Sequence, residues 1–85
     1  SKIEDGRMEL FNESFYLAQV IGELVEGIRP RAKAHGNEVG YVPEAGISAM
    51  TADLTKVRQV VGNLLSNATK FTRGGTVHVE LRRLM

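Results

Sequence analysis

The 85-residue chain has no cysteine. That excludes a disulfide framework, a thiol nucleophile and any cysteine-ligated metal, and it fits a reducing compartment. Long hydrophobic runs are missing as well. Nothing approaches the ~18 apolar residues needed to span a bilayer, so no membrane contact is expected, and no signal-peptide pattern opens the sequence. Aromatic residues make up only 6%. With no RNP-like or helix-turn-helix pattern beside them, they argue against nucleic-acid binding. There is no GxxxxGK[ST], no GxGxxG after a strand, no HExxH and no CxxC. The few histidines offer no Ser-His-Asp set. Glu4, Asp5 and Glu9 form a solvated charge run rather than an acid/base pair.

What remains is ordinary for a small globular domain: 42% apolar, 25% charged, net charge +1. A chain this short buries only roughly 60% of its extended surface, so contacts with a partner or a second copy would help it. The charge is unevenly spread. Residues 1–44 carry five basic and eight acidic side chains, whereas residues 45–85 carry six and two. A basic C-terminal half suits a phosphate-bearing ligand, and it is equally what a chance imbalance on a solvated surface produces.

The pattern along the chain predicts an α+β order. "SKIEDGRMEL", with Ile3, Met8 and Leu10, reads as the tail of a helix breaking near Gly6. "FNESFYL" reads as a short edge strand. Val20, Ile21, Leu24, Val25, Ile28 and Ala32 fall at helical spacing over about 18–35, with Pro30 as a weak point and Gly36 as the stop. "EVGYVP" (38–43) and "ISAMTAD" (47–53) read as strands joined through Glu44 to Gly46. A second helix starts near Asp53, a good N-cap, and ends near Thr72 before Gly74 and Gly75. "TVHVELRRL" alternates Val77, Val79 and Leu81 against Thr76, His78 and Glu80, a half-buried strand. A two-layer sandwich with both helices on one face of the sheet would bury both apolar stripes.

On a wheel of ~100° per residue, the second helix gathers Val57, Val61, Leu64, Leu65 and Ala68 on a core face, with Leu54 nearby. Lys56, Gln59, Asn63, Asn67 and Lys70 gather in an arc of roughly 80° elsewhere. Two asparagines, mediocre helix formers, stand a turn apart in that stripe with a cation one turn on. An Asn carbonyl can ligate Mg²⁺, its NH₂ can meet a phosphate oxygen, and neither repels phosphate as a carboxylate would. Lysine adds a point charge. From spacing alone, the stripe is also what an ordinary solvated helix face looks like.

"DLTKVRQVVGNLLSNATKFT" (53–72) closely resembles the N box of sensor histidine kinases. Gln59, Asn63, Leu64, Asn67, Ala68, Lys70, Phe71 and Thr72 all stand where that motif puts them. "FYLAQVIGELVEGIRPRAKAHGNEV" is similar to the first strand and helix of the family's ATP-binding domain. "GGTVHVEL" is similar to the strand after the N box, and "SKIEDGRMEL" to the end of the second dimerisation helix. The resemblance thus covers essentially the whole chain. It implies residues 1–12 as the end of a dimerisation helix and linker, and 13–85 as the N-terminal portion of the ATP-binding domain. The implied fold is the two-layer α/β sandwich shared with Hsp90-type chaperones, gyrase B and MutL.

The resemblance further implies ATP and Mg²⁺ as cofactors. Asn63 and Asn67 would hold Mg²⁺ and phosphate oxygens, with Asn67 the better placed as direct ligand. Lys70 would bind phosphate and Phe71 would line the site. The parent would autophosphorylate a histidine and pass the phosphoryl group to a response-regulator receiver domain. A cytoplasmic location is implied, whether or not the parent is membrane-anchored. The phosphoacceptor box is not in the sequence: His35 reads as a solvated or dipole-compensating residue at a helix end, and His78 as structural. Nor does it contain the Asp-x-Gly-x-Gly box that reads adenine, or the lid. The expectation is therefore a kinase fragment, inactive alone and binding ATP weakly or not at all, with an open edge at the last strand inviting a homodimer. The competing expectation is a non-catalytic regulatory or dimerising module of the same fold.

Overall fold

The computed structural model describes residues 12–83. The expected dimerisation-helix tail lies outside the described residues. The element order is β1 (Asn12–Phe15), α1 (Leu17–Ala34), β2 (Glu38–Pro43), β3 (Met50–Asp53), α2 (Leu54–Phe71) and β4 (Thr76–Leu81).

Among the described residues the strands form two pairs rather than one sheet. β2 and β4 run parallel in register from Glu38↔Thr76 to Pro43↔Leu81, which requires the intervening chain to cross over. β1 and β3 run antiparallel, with Ser14 opposite Thr51 and their hydroxyls 3.0 Å apart. The strand read over 47–53 is thus shorter, starting at Met50, and its partner is β1.

The core lies between α1, α2 and the β2–β4 pair. Ile21, Val25, Ile28 and Ala32 from α1 meet Val39, Leu65 and Val77, with Val61, Ala68, Val79 and Leu81 packed around them. α1 runs continuously through Pro30. It ends as a Schellman motif: Gly36 takes φ +76°, its N–H donates to Lys33 O at 2.9 Å, and Asn37 N–H donates to Ala32 O at 2.8 Å. Gly22 packs beside the Tyr41 ring, which a Cβ there would meet at an ordinary contact distance of 3.5 Å. The Tyr41 hydroxyl donates to Ala18 O at 2.8 Å, and burial pushes its pKa up.

The two helices run parallel in register. Arg58 pairs with Glu23 at 2.9 Å, Arg31 reaches Ser66 at 3.5 Å, and Asn37 reaches Thr72, each a separation of 35 residues. Their starts are joined by the β1–β3 pair, since β1 leads into α1 and β3 leads directly into α2. Their ends are joined at the α1–β2 turn. α2 is therefore fixed at both ends, which matters because it carries the candidate site.

Candidate functional site

α2 begins as the sequence indicates. Asp53 is the N-cap, in extended conformation, and its carboxylate accepts from Lys56 N–H at 3.2 Å. The helix then buries a narrow strip. Leu65 and Thr69 are buried, and Leu54, Val57, Val61, Gly62, Ser66 and Ala68 are half-buried. Arg58 and Ser66 use their side chains toward α1.

The predicted polar stripe is exposed along its length: Lys56, Gln59, Asn63, Asn67 and Lys70 all face solvent. Asn63 and Asn67 stand one turn apart on the same face. Lys70 Nζ lies 5.7 Å from the centroid of the Phe71 ring, a cation–π distance that holds the ammonium at the end of the stripe. Phe71 itself is 77% exposed. The stripe does not line a closed pocket. Cavities of about 430, 300 and 320 Å³ lie at the end of α1, beside Lys56, Val57 and Val60, and near the start of α1, so of the stripe Lys56 lines the second.

One core assignment is overturned. Leu64 belongs to the expected core face, yet it is 63% exposed, beside Val60 at 59%. The physical reason is that the burial axis of α2 points at α1 through Leu65 and Thr69, roughly 100° round the helix from Leu64. Leu64, Val60 and Phe71 instead form a second apolar strip bordering the asparagines.

Asn37 is the residue that sequence reasoning passed over. It is 4% exposed, and its amide is used fully across the two helix ends. Nδ2 donates to Thr72 O at 2.6 Å and to Thr69 O at 3.3 Å, while Oδ1 accepts from Gly75 N–H at 2.9 Å. His35 joins it: Nδ1 donates to Thr69 O at 3.2 Å, and Gly74 N–H donates to His35 O at 3.2 Å. His35 is therefore half-buried and reaches the end of α2, a more specific place than a solvated helix end. The signal available in the sequence was the Gly-Asn ending of the first helix, which belongs to the family resemblance but by itself gives Asn37 no role. His78 is exposed on the outer face of β4. It contacts Glu80 at 2.9 Å, and that hydrogen bond, helped by Arg82, holds Glu80 below the usual carboxylate range.

The donor set can be tested against a divalent cation. Among the described residues no three His, Cys, Asp or Glu side chains come together as a metal site. The stripe supplies amide oxygens and two ammonium groups but no carboxylate. Such a set is too weak to retain a bare cation, and it fits Mg²⁺ that arrives with phosphates, because Mg²⁺ keeps waters and takes few protein ligands.

This fold is that of the histidine kinase catalytic domain. The cytoplasmic segment of histidine kinase QseC superposes with a TM-score of 0.77 at 23% identity, covering 92% of this chain and 51% of that one. Full-length ShkA, solved in complex with AMPPNP, superposes with a TM-score of 0.84 at 26% identity, covering 91% of this chain and 17% of that one. In sequence, the chain is a homologue of histidine kinases over essentially its whole length. It is 35% identical to Histidine kinase CKI1 of Arabidopsis thaliana over 86 residues, which is 96% of this chain and 8% of that protein. It is 38% identical to Sensor protein GacS of Pseudomonas syringae, covering 91% of this chain and 9% of that one. The Non-motile and phage-resistance protein of Caulobacter vibrioides is 44% identical over 98% of this chain and 10% of its own length. The chain thus spans 8 to 10% of the length of these relatives. No family model matches it. No helix among the described residues is long and apolar enough to cross a membrane.

Proposed function

We propose that this chain is the phosphate-binding portion of a histidine kinase's ATP-binding domain. The observation that carries the reading is the outward stripe Asn63–Asn67–Lys70 on a helix fixed at both ends, in a chain homologous to histidine kinases. The AMPPNP complex of the ShkA neighbour supports the nucleotide assignment. Asn67 and Asn63 would offer carbonyl oxygens to Mg²⁺ and amide hydrogens to phosphate oxygens, and Lys70 would pair with phosphate. Phe71 would flank the site and restrain the Lys70 ammonium. When bound, Mg²⁺ neutralises phosphate charge as the γ-phosphoryl leaves. The side chains contribute position and electrostatics, which is most of what phosphoryl transfer asks of a protein.

In this reading the parent transfers the γ-phosphoryl group to its own histidine and then to a receiver-domain aspartate, acting in the cytoplasm. Residues 1–12 belong to the end of a dimerisation helix and linker, and 13–85 to the ATP-binding domain. The adenine-reading box and lid are not among these 85 residues, so the chain alone binds ATP weakly and transfers nothing. Calorimetry giving micromolar ATP affinity for the chain overturns that statement. For the site itself, Asn67→Ala in a kinase carrying this segment should lower autophosphorylation roughly 10²-fold or more, the scale of losing a key electrostatic contact. An unchanged rate would refute the assignment.

The exposed strip of Val60, Leu64 and Phe71 favours a second reading, a module that keeps the fold and uses it for association. The backbone edge of β4 turned away from β2 adds a route to pairing with another copy. Light scattering that stays at monomer mass at high concentration excludes that route.

A further inference from the structure

We infer that Asn37 is a positioning residue for nucleotide phosphate, acting through the last turn of α2 without touching the ligand. The inference rests on the site reading given above and goes beyond it.

The argument begins with how α2 ends. Its C-cap, Thr72, is extended at φ −109° and ψ 138°, and the left-handed glycine that usually closes a helix does not stand at the next position. Gly74, at φ +65°, comes one residue later. The last carbonyls of α2 therefore have no cap from their own chain ending, and a helix end without partners frays. Their partners come from the other helix. The two N–H groups of the Asn37 amide satisfy Thr69 O and Thr72 O, and the amide oxygen takes Gly75 N–H. His35 adds a second donor to Thr69 O.

The support is rigid on its own side. Asn37 closes the α1 Schellman motif with its backbone N–H and leads straight into β2, where Glu38 N–H donates to Gly75 O at 2.9 Å. Thr69 lies on the back of the turn that carries Asn67 and Lys70. It is fully buried, whereas Asn67 and Lys70 face out. Holding the Thr69 carbonyl fixes the turn from behind, and the front of that turn carries two of the three side chains proposed to meet phosphate.

The chemistry demands an amide. Asn37→Asp keeps size and the acceptor for Gly75 N–H, but it turns two donated hydrogen bonds into a carboxylate facing two carbonyl oxygens. The test uses the ¹⁵N-labelled 85-residue chain, with Mg–AMPPNP titrated at millimolar concentration and amide hydrogen exchange measured residue by residue. In Asn37→Asp, amides of the last turn of α2 should exchange at least ~10-fold faster relative to its first turns and to β2–β4, the signature of local rather than global opening. The response of the α2 amides to Mg–AMPPNP, corrected for the fraction folded, should fall at least ~5-fold, a drop of about 1 kcal/mol in affinity. His35→Ala, which removes only one bond to the same carbonyl, should move both readouts the same way by less; it also serves if Asn37→Asp does not fold. Uniformly faster exchange with unchanged folded-state affinity would mean a merely structural role and overturn the proposal. Lys70→Ala separates the two claims: it should lower affinity and leave exchange unchanged. If the unaltered chain and Lys70→Ala are equally indifferent to Mg–AMPPNP, the site reading fails, and the positioning proposal fails with it.

Discussion

Thr69→Val should stabilise the protein. Thr69 has no exposed surface, and its Oγ1 is a buried polar atom with no hydrogen-bond partner. An unpaired buried hydroxyl costs about 1–3 kcal/mol in lost hydration. Valine has nearly the same shape, replaces that oxygen with a methyl group, and differs little in helix propensity. The His35 and Asn37 anchors bond to the Thr69 backbone carbonyl, so they survive the change. The expected gain is about 1–3 kcal/mol in urea unfolding with an unchanged m value. For a domain of this size, that raises Tm by about 4–8 °C per kcal/mol. Thr69→Ser supplies the opposite sign: it keeps the unpaired hydroxyl and loses a buried methyl, costing about 1 kcal/mol. A loss of stability in Thr69→Val would refute the reasoning. It would mean that the hydroxyl is paired in solution, for instance bonded back to the carbonyl four residues earlier.

Val25→Ala, at a fully buried core position, should cost about 2–3 kcal/mol by equilibrium unfolding, large for so small a domain. Leu64→Ser, at an exposed position, should leave stability within about 0.5 kcal/mol and reduce self-association in sedimentation. Gly36→Ala places a Cβ at φ +76° and should cost about 1–2 kcal/mol in thermal unfolding, with Gly36→Asn tolerated better. Glu80 is held below its ordinary range by the His78 hydrogen bond and by Arg82, so its stabilising contribution is present above that range and is lost as pH falls through the lowered value. Glu80→Gln should therefore flatten the acid end of a plot of urea midpoint against pH.

Much of the fold was legible because its signals were local. The spacing of Val20, Ile21, Leu24, Val25, Ile28 and Ala32 set the α1 stripe, and all are buried except Leu24, which is half-buried. Asp53, a good N-cap residue, marked the neighbourhood of the α2 start and is its N-cap. The alternation of Val77, Val79 and Leu81 placed β4 and its inner face. Partner choice was not local. Nothing in "EVGYVP" and "ISAMTAD" says that the first pairs with β4 and the second with β1, because strand pairing depends on where the crossover helices place each segment. The candidate stripe was visible as a pattern, and its exposure agrees with the pattern. The device behind it was invisible, since Asn37 works through contacts with residues 32 to 38 positions away.

The misplacement of Leu64 has its own logic, and it bears on function. A helical wheel returns one apolar direction, and α2 has two. One passes through Leu65 and Thr69 toward α1; the other passes through Val60, Leu64 and Phe71, with the asparagine stripe along its far border. Averaging them placed Leu64 in the core. A helix apolar on two sides is a helix meant to be covered on two sides. The asparagines then sit at a seam between whatever covers the second strip and the solvent. Phosphate contacts at such a seam gain strength as water is excluded, since charge-assisted hydrogen bonds weaken with hydration. Covering Leu64 and strengthening Asn67 are therefore coupled in the kinase reading. Leu64→Ser in a kinase carrying this segment should weaken nucleotide binding while leaving the stability of the 85-residue chain alone unchanged. Equal nucleotide affinity in the two kinases would break that link and leave the strip to association.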